Sequence, residues 1–254
     1  MANETIGLEN LANDYPGRFI IIGATKDTEG PINAVVVYGI TGRSEGSWAR
    51  KLKPYSGNRV KVDPLTPDTK VDAKQRELIY YTALQYDRFG IAVSNGKQTV
   101  DIYNSAIWNA LSHLFFRKAD PIIALKNGQK KWSYEPDEPN YTPRIGGFIN
   151  PDGEAALSIL KRAEDGSCIR QYFSVPLIRG TGKLISTYTG VNVNPLPSFV
   201  GEPMDVEISC FMQERIAEEV WHTLKPDYRV SVTCLVSNLL DLRNEKPFII
   251  NKHN

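Results

Sequence analysis

The chain has 254 residues, 41% of them hydrophobic, and its 30 basic residues against 29 acidic ones leave a net charge of +1. This length allows one large domain with a sizeable core, and the near-zero charge excludes a general attraction to nucleic acid or to an anionic membrane. Three scattered cysteines and three scattered histidines show neither a disulfide framework nor a metal-ligand spacing. The N-terminus lacks an apolar signal region and no run reaches membrane-spanning length, so we expect a soluble, cytoplasmic protein without a metal site.

The first half of the chain is dominated by short runs of β-branched residues. The runs at 19–25 and 34–40 are bounded by Gly, Asp and Pro and predict a hairpin of buried strands. The segment 53–72 is the most linker-like part of the sequence. The runs at 78–86 and 91–96 flank "DRFG" and predict a second hairpin.

Two helices are predicted in the rest of the chain. Apolar residues recur at helical spacing over 99–120, which a proline follows, and over 211–224. Strands are expected on both sides of the turn at 151–153 and over 228–239. Because the strands come in hairpins with few helices between them, the sequence predicts a single layered α+β domain rather than a parallel, doubly wound sheet.

Two glycine-containing turns could bind an anion. In "TGRSEGSWAR" (41–50), Arg43 and Ser44 would form a clamp for phosphate or carboxylate, and an ordinary polar turn is an equally good interpretation. In "SNGKQT" (94–99), Asn95 and Thr99 stand at a predicted helix N-terminus, where exposed N–H groups favour an anion. A Thr99 N-cap after an Asn-Gly turn is the simpler explanation there.

The stretch "EPNYTPRIGG" (138–147) holds Asn140, Thr142 and Arg144 at alternate positions. In an extended segment these three side chains would lie on one face. We therefore predict that this face binds and activates an anionic, amide-bearing substrate.

Carboxylates and phenols supply candidates for acid–base chemistry. Glu135 and Glu138 lie close together in "YEPDEP", where paired carboxylates can raise one pKa towards neutrality, although a solvated acidic loop is the commoner case. Tyr80 and Tyr81 are possible hydrogen-bond donors in a site, and buried, satisfied tyrosines are again the commoner case.

Taken in order, these motifs resemble one protein family over roughly residues 8–240. The stretches "NDYPGRFIIIGATKD", "VVYGITGRSEGS", "IAVSNGKQT", "EPDEPNYTPRIGG", "STYTG" and "NPLPSFVGEP" are similar to the archaeal-type IMP cyclohydrolase family, including its bacterial members. The resemblance implies an N-terminal nucleophile hydrolase-like fold, a four-layer α-β-β-α sandwich, without a catalytic N-terminal residue. The sequence agrees, since removal of Met1 exposes Ala2.

The same resemblance implies a reaction and a set of site residues. The reaction is closure of 5-formamidoimidazole-4-carboxamide ribotide (FAICAR) to IMP and water, without a cofactor. Arg43 resembles the active-site arginine of the family. Tyr81 resembles its phenol, with Tyr80 as the alternative. Glu135 resembles its acidic residue, with Glu138 as the alternative. The implied substrate-binding residues are Arg18, Ser44, Asn95, Thr99, Asn140, Thr142 and Arg144. We expect Glu135 to orient the carboxamide, Arg43 or Tyr81 to stabilise the formyl oxygen, and Arg18 or Arg144 to reach the phosphate.

The sequence also departs from the family pattern, which leaves other functions open. Where bacterial relatives read "GRSENSRNR" and "NGxQTDTI", this chain has Gly46, Trp48 and Val100, with an acid one place later at Asp101. A purine nucleotide-binding protein with altered specificity or no catalysis is the alternative to the enzyme, and an amide hydrolase is a weaker third option. The expected partner is a small purine ribonucleotide, with neither nucleic acid nor membrane, and homo-oligomerisation is left open.

Overall fold

The computed structural model describes residues 8–12, 15–26, 29–66, 79–112, 119–240, 242 and 244–253. The helices in these ranges are α1 (Glu9–Ala12), α2 (Glu45–Trp48), α3 (Gln98–Ser112), α4 (Pro121–Gly128) and α5 (Gln213–Thr223). The strands are β1 (Arg18–Ala24), β2 (Ala34–Thr41), β3 (Arg50–Tyr55), β4 (Arg59–Pro64), β5 (Tyr81–Asp87), β6 (Gly90–Ser94), β7 (Arg144–Ile149), β8 (Ala155–Arg162), β9 (Cys168–Val175), β10 (Thr181–Ser186), β11 (Met204–Glu207), β12 (Arg229–Ser237) and β13 (Phe248–Asn251). None of the helices described is both long and apolar enough to cross a membrane.

The strands form two antiparallel sheets. The first sheet has the order β11-β10-β1-β2-β12-β13, and the second has the order β3-β4-β5-β6-β7-β8-β9. The second sheet follows the chain as a meander, because each of its strands pairs with the next one in sequence. The first sheet is assembled from both ends of the chain, since β1 and β2 are flanked by β10 and β12.

The two sheets pack face to face, and helices cover their outer faces. The core between the sheets contains Ile20 and Tyr38 from the first sheet and Leu84 and Ile145 from the second. Apolar residues of α5 pack on the opposite face of the first sheet. Residues of α3 and α4 pack on the outer face of the second sheet. Strands buried on both faces need apolar residues at successive positions, which explains the continuous run from Phe19 to Ile22.

Several elements predicted from sequence are confirmed. The runs at 19–25 and 34–40 form the antiparallel pair β1–β2, and "DRFG" joins β5 to β6. The turn after Asn150 joins β7 to β8, α5 lies within 211–224, and β12 lies within 228–239. The mixed α and β composition with antiparallel sheets is as expected.

Two boundaries differ from the predictions. The segment 53–72 is not a linker over its described part, because β3 and β4 pair there as a hairpin. Its turn uses positive φ at Gly57 and Asn58, and buried Val60 and Val62 alternate with polar neighbours. In the predicted helix 99–120, α3 is described to Ser112 and residues 113–118 lie outside the described ranges. Beyond them, Pro121 begins the separate helix α4.

Replacing Gly39 with alanine should destabilise the first sheet. Gly39 faces Phe19 across β1 and β2, and a Cβ atom at Gly39 would lie 2.0 Å from Cζ of that buried ring. Moving the ring within a closely packed core should lower the free energy of unfolding by about 1–3 kcal/mol, measured by urea titration. The control is Gly46→Ala, where the added Cβ meets no atom within 4 Å. Equal stabilities of the two variants would contradict this account.

Candidate active site

Two arginines and one glutamate form a buried charged cluster where the two sheets meet. Arg18 begins β1 and Arg144 begins β7, whereas Glu135 lies in the loop before β7. Nη2 of Arg18 donates to both carboxylate oxygens of Glu135 at 2.9 Å, and Nη1 of Arg144 lies 3.6 Å from Oε1. The exposed fraction of Glu135 is 2%. The cluster holds two positive charges and one negative charge, so it has one positive charge in excess.

Each arginine of this cluster keeps one N–H group unused. The Nε atoms of Arg18 and Arg144 are buried, and neither has a hydrogen-bond partner among the described residues. Buried donors without an acceptor are rare in folded proteins and costly. The cluster is therefore suited to a ligand that brings hydrogen-bond acceptors.

Burial shifts the acid–base properties of the cluster. It raises the pKa of Glu135 above its ordinary value, while Arg18 and Arg144 act in the opposite direction and Asp137 adds to the rise. Burial also lowers the pKa of Arg144. Arg18 differs, because the Glu135 carboxylate and nearby phenols outweigh burial and raise its pKa well above the ordinary value. A guanidinium does not give up its proton in a protein, so both arginines act through charge and hydrogen bonds.

A pair of buried phenols lies beside the charged cluster. The hydroxyl oxygens of Tyr38 on β2 and Tyr81 on β5 are 2.6 Å apart, in the core between the sheets. Burial raises the pKa of Tyr38 well above its ordinary value, and the neighbouring Tyr81 adds to the rise. Tyr81 also interacts electrostatically with Arg18 and Arg144. Tyr38 is absent from the sequence-based site because it stands in an apolar run typical of core residues.

Thr142 connects this region to another tyrosine. Its backbone N–H donates to Oδ1 of Asp137 at 2.6 Å, and its hydroxyl donates to Oδ2 of the same carboxylate. The hydroxyl oxygens of Thr142 and Tyr188 are 2.5 Å apart. Burial raises the pKa of Tyr188 to about 12, so this phenol remains protonated near neutral pH. Tyr188 belongs to the "STYTG" motif, so the sequence motif could have identified it as a candidate residue near the site.

Asn95 and Thr99 are completely buried and bond within the chain. The Asn95 amide donates to the carbonyl oxygen of Pro143 at 2.9 Å and accepts from the N–H of Ile145 at 2.9 Å. The hydroxyl oxygen of Thr99 lies 2.5 Å from that of Ser94. These bonds fix the start of α3 against the start of β7. Direct contact of Asn95 and Thr99 with substrate stays a prediction.

The loop before α3 also shapes the environment of Arg144. Nη1 of Arg144 donates to Oε1 of Gln98 at 3.3 Å. A Cβ atom at Gly96 would lie 2.5 Å from the same Nη1 atom. A glycine at this position leaves room for the ends of the Arg144 and Gln98 side chains, which would have to shift if a Cβ atom were added.

Arg43 lies at the surface rather than in the charged cluster. Its Nη1 donates to Oδ1 of Asn192 at 3.1 Å and to the carbonyl oxygen of Val193 at 3.2 Å. Its guanidinium carbon lies 5.7 Å from the ring centroid of Tyr15, which stacks on Tyr188. Arg43 thus stands at the rim of the region that contains Arg18 and Thr142.

Two other predicted substrate-binding residues also lie outside the cluster. Ser44 is exposed at the start of α2, where its backbone N–H donates to the hydroxyl of Ser47 at 2.9 Å. The side-chain oxygen of Asn140 accepts from the N–H of Leu196 at 2.9 Å. These bonds leave a role in binding substrate untested for both residues.

The predicted single face of Asn140, Thr142 and Arg144 is wrong. Residues 138–140 form a turn, Tyr141 has a φ of 44°, and the strand begins only at Arg144. Because the segment is not extended over its whole length, Asn140 contacts Leu196 whereas Arg144 contacts Glu135.

The structure separates the two pairs of alternatives. Glu135 is buried in the charged cluster, whereas Glu138 is exposed. Tyr81 belongs to the core between the sheets, whereas Tyr80 is half-buried before β5 begins. Glu135 and Tyr81 are therefore the members of each pair that lie beside Arg18.

The fold and the cluster define a protein of two stacked antiparallel sheets with buried guanidinium, carboxylate and phenol groups. The model of the family described as IMP cyclohydrolase-like protein matches residues 15–241. The chain therefore belongs to the IMP cyclohydrolase-like family, which indicates a cyclohydrolase type of function.

Among solved structures, the chain is similar to a Gly-1 mutant of Anbu from Hyphomicrobium sp. strain MC1. The two share 10% sequence identity over 94% of this chain and 89% of that chain, with a TM-score of 0.34. The family match is the comparison that classifies the protein.

Proposed function

We propose that this protein is an IMP cyclohydrolase of the archaeal type, in a bacterial-like form, that closes FAICAR to IMP and water. The observation that carries the proposal is the buried cluster of Arg18, Glu135 and Arg144, with its excess positive charge and two unused N–H donors. FAICAR offers two carbonyl oxygens as acceptors and a carboxamide N–H as a donor. The cluster has matching donors and a matching carboxylate acceptor.

The ring closure makes one bond and breaks one bond. The carboxamide nitrogen attacks the formyl carbon, and the formyl oxygen gains a proton as that nitrogen loses one. The C–O bond then breaks, the formamido N–H proton goes to the departing oxygen, and water leaves. Since both reacting groups belong to one molecule, holding them in contact contributes much of the acceleration.

The side chains can divide this work by their charge and position. Glu135 accepts the hydrogen bond of the carboxamide N–H and so increases the nucleophilicity of the nitrogen. The guanidiniums of Arg18 and Arg144 favour negative charge on the substrate oxygens. The Tyr81 hydroxyl donates to the formyl oxygen, which must be protonated before it can leave as water.

Arg43 suits the phosphate better than the reacting atoms. A phosphate keeps much of its hydration at a surface, and the half-buried rim position of Arg43 requires less desolvation than the buried position of Arg18 or Arg144. This assignment departs from the role near the formyl oxygen that was inferred from sequence.

Replacing Arg43 with alanine should weaken substrate binding more than chemistry. We expect KM for FAICAR to rise about tenfold with kcat within about twofold, because a rim hydrogen bond to phosphate acts equally on substrate and transition state. Steady-state kinetics measures both constants. The matched control is Arg59→Ala, which removes another half-buried arginine that lies over a tyrosine ring. A large fall in kcat at unchanged KM would instead place Arg43 beside the reacting atoms.

The function is tested by following IMP formation from fresh FAICAR by its ultraviolet spectrum. Uncatalysed closure gives a background rate, so the unaltered protein is compared with Glu135→Gln. IMP formation that depends on Glu135 supports the enzyme.

Saturable IMP binding without turnover supports the second candidate, a purine nucleotide-binding protein without this catalysis. That candidate is favoured by Asp101, which bonds to Lys131 and Trp132 rather than to the charged cluster.

On this proposal the chain is a single N-terminal nucleophile hydrolase-like domain that works in the cytoplasm on a purine ribonucleotide. The support for the fold is the sequence of layers, in which helices cover the outer faces of two stacked antiparallel sheets. The fold would then serve as a scaffold for ring closure without a catalytic N-terminal residue.

A further inference from the structure

Trp132 joins the buried arginine Arg144 to a carboxylate outside the charged cluster. The guanidinium carbon of Arg144 lies 4.9 Å from the centroid of the Trp132 ring. Nε1 of Trp132 donates to Oδ2 of Asp101 at 2.7 Å. Asp101 lies in the first turn of α3, so the three side chains connect α3, the loop after α4, and the first residue of β7.

The other contacts of Arg144 do not fix its guanidinium tightly. Its Nη1 lies 3.3 Å from Gln98 and 3.6 Å from Glu135, which are long separations for charge-assisted hydrogen bonds. Its Nε has no partner among the described residues. The face of the Trp132 ring is therefore a principal constraint on the plane of the guanidinium, and such a contact is strongest when it is desolvated.

Asp101 fixes the Trp132 ring and strengthens its hold on the cation. A carboxylate that accepts from the indole N–H increases the electron density of the ring, to which a guanidinium is attracted. Asp101 also pairs with Lys131 at 3.2 Å, but the Lys131 side chain is 69% exposed, so that ion pair is screened by solvent.

We propose that Trp132 and Asp101 are positioning residues that hold Arg144 in the orientation needed for ring closure. This rests on the proposed function, since the benefit to the reaction assumes that Arg144 acts on FAICAR. Asp101, the acid one place after Val100, would thus act on Arg144 through Trp132 without touching the substrate.

The test combines kinetics with a signal that needs no turnover. We expect Trp132→Phe and Asp101→Ala each to lower kcat about tenfold with KM changed less than about threefold. Asp101→Asn keeps an acceptor for the indole N–H and should restore kcat to within about threefold of the unaltered protein. In ¹⁵N NMR spectra, the Nε–H signal of Arg144, assigned by its loss in Arg144→Lys, should shift in Trp132→Phe and Asp101→Ala.

Trp221→Phe is the matched control. It alters a second arginine–tryptophan contact, in which the guanidinium carbon of Arg229 lies 5.5 Å from the ring centroid. It should leave kcat and the Arg144 signal unchanged. Unchanged kcat and an unchanged Arg144 signal in Trp132→Phe would overturn the positioning role. If the unaltered protein forms no IMP but the Arg144 signal still shifts, the proposed function fails while the hold of Trp132 on Arg144 is supported.

Discussion

Replacing Glu135 with glutamine should lower kcat for IMP formation by about 100-fold or more. Glu135 is the only carboxylate that an arginine of the described charged cluster contacts directly, and it is the acceptor we assign to the carboxamide N–H. A glutamine of the same shape keeps an acceptor oxygen but loses the charge that makes the attacking nitrogen more nucleophilic. Removal of a positioned base typically costs a factor of 10²–10⁴, and single-turnover kinetics would measure this loss.

The matched control for this variant is Glu138→Gln. Glu138 is three positions further along the loop and exposed, so its loss should leave kcat within about twofold. Equal effects of the two substitutions would contradict the assignment of Glu135. Because Glu135→Gln leaves two buried guanidiniums without their counter-charge, we also expect a loss of about 3 kcal/mol of folding free energy. The assay temperature must therefore lie well below the unfolding midpoint of this variant.

The pH dependence of the rate should also reveal the ionisation of Glu135. A carboxyl group is protonated below its pKa, and burial raises the pKa of Glu135 above the ordinary value. If the ionised form is required, kcat/KM, which reports ionisation of the free enzyme, should fall on the acid side at a higher pH than an exposed glutamate would give. This acidic limb should disappear in Glu135→Gln, and a limb that persists unchanged would assign the titration to another group.

Local sequence patterns predicted the hairpins because each hairpin is defined by its own turn and its own apolar runs. The β1–β2 and β5–β6 pairs are of this kind. The division into two sheets depends instead on contacts between distant segments. β9 and β10 are consecutive in the chain but lie in different sheets, and β12 pairs with β2 across most of the sequence. No local pattern specifies such pairings.

The members of the charged cluster could be selected from sequence because they lie in recognisable motifs, but their arrangement depends on tertiary packing. Glu135 and Arg144 came from one motif, and the structure places them beside Arg18 from another. Arg43 has the same chemical groups as Arg18, and only the tertiary structure shows that one is at the rim and the other in the centre. The contact of Trp132 with Arg144 was not predictable, because a cation–π contact leaves no local signal in the sequence.

Replacing Tyr81 with phenylalanine should lower kcat about 100-fold with little change in KM. The substitution removes only the hydroxyl that lies 2.6 Å from that of Tyr38, beside the charged cluster. Charge develops on the formyl oxygen as the ring closes, so a donor aimed at that oxygen acts mainly on the transition state. Loss of one such donor costs about 10²–10³ in rate in enzymes that stabilise an oxyanion, and steady-state kinetics at saturating FAICAR would detect it.

Tyr80→Phe is the decisive comparison, because it removes the same group from the adjacent position. Tyr80 is half-buried and precedes the first residue of β5, whereas Tyr81 belongs to the core between the sheets. Tyr80 and Tyr81 both line a cavity of about 390 Å³ that includes Lys61 and Lys97, and the Tyr81 hydroxyl lies 2.6 Å from that of Tyr38. We therefore expect Tyr80→Phe to keep kcat within about twofold. A large loss in Tyr80→Phe with an active Tyr81→Phe would transfer the donor role to Tyr80.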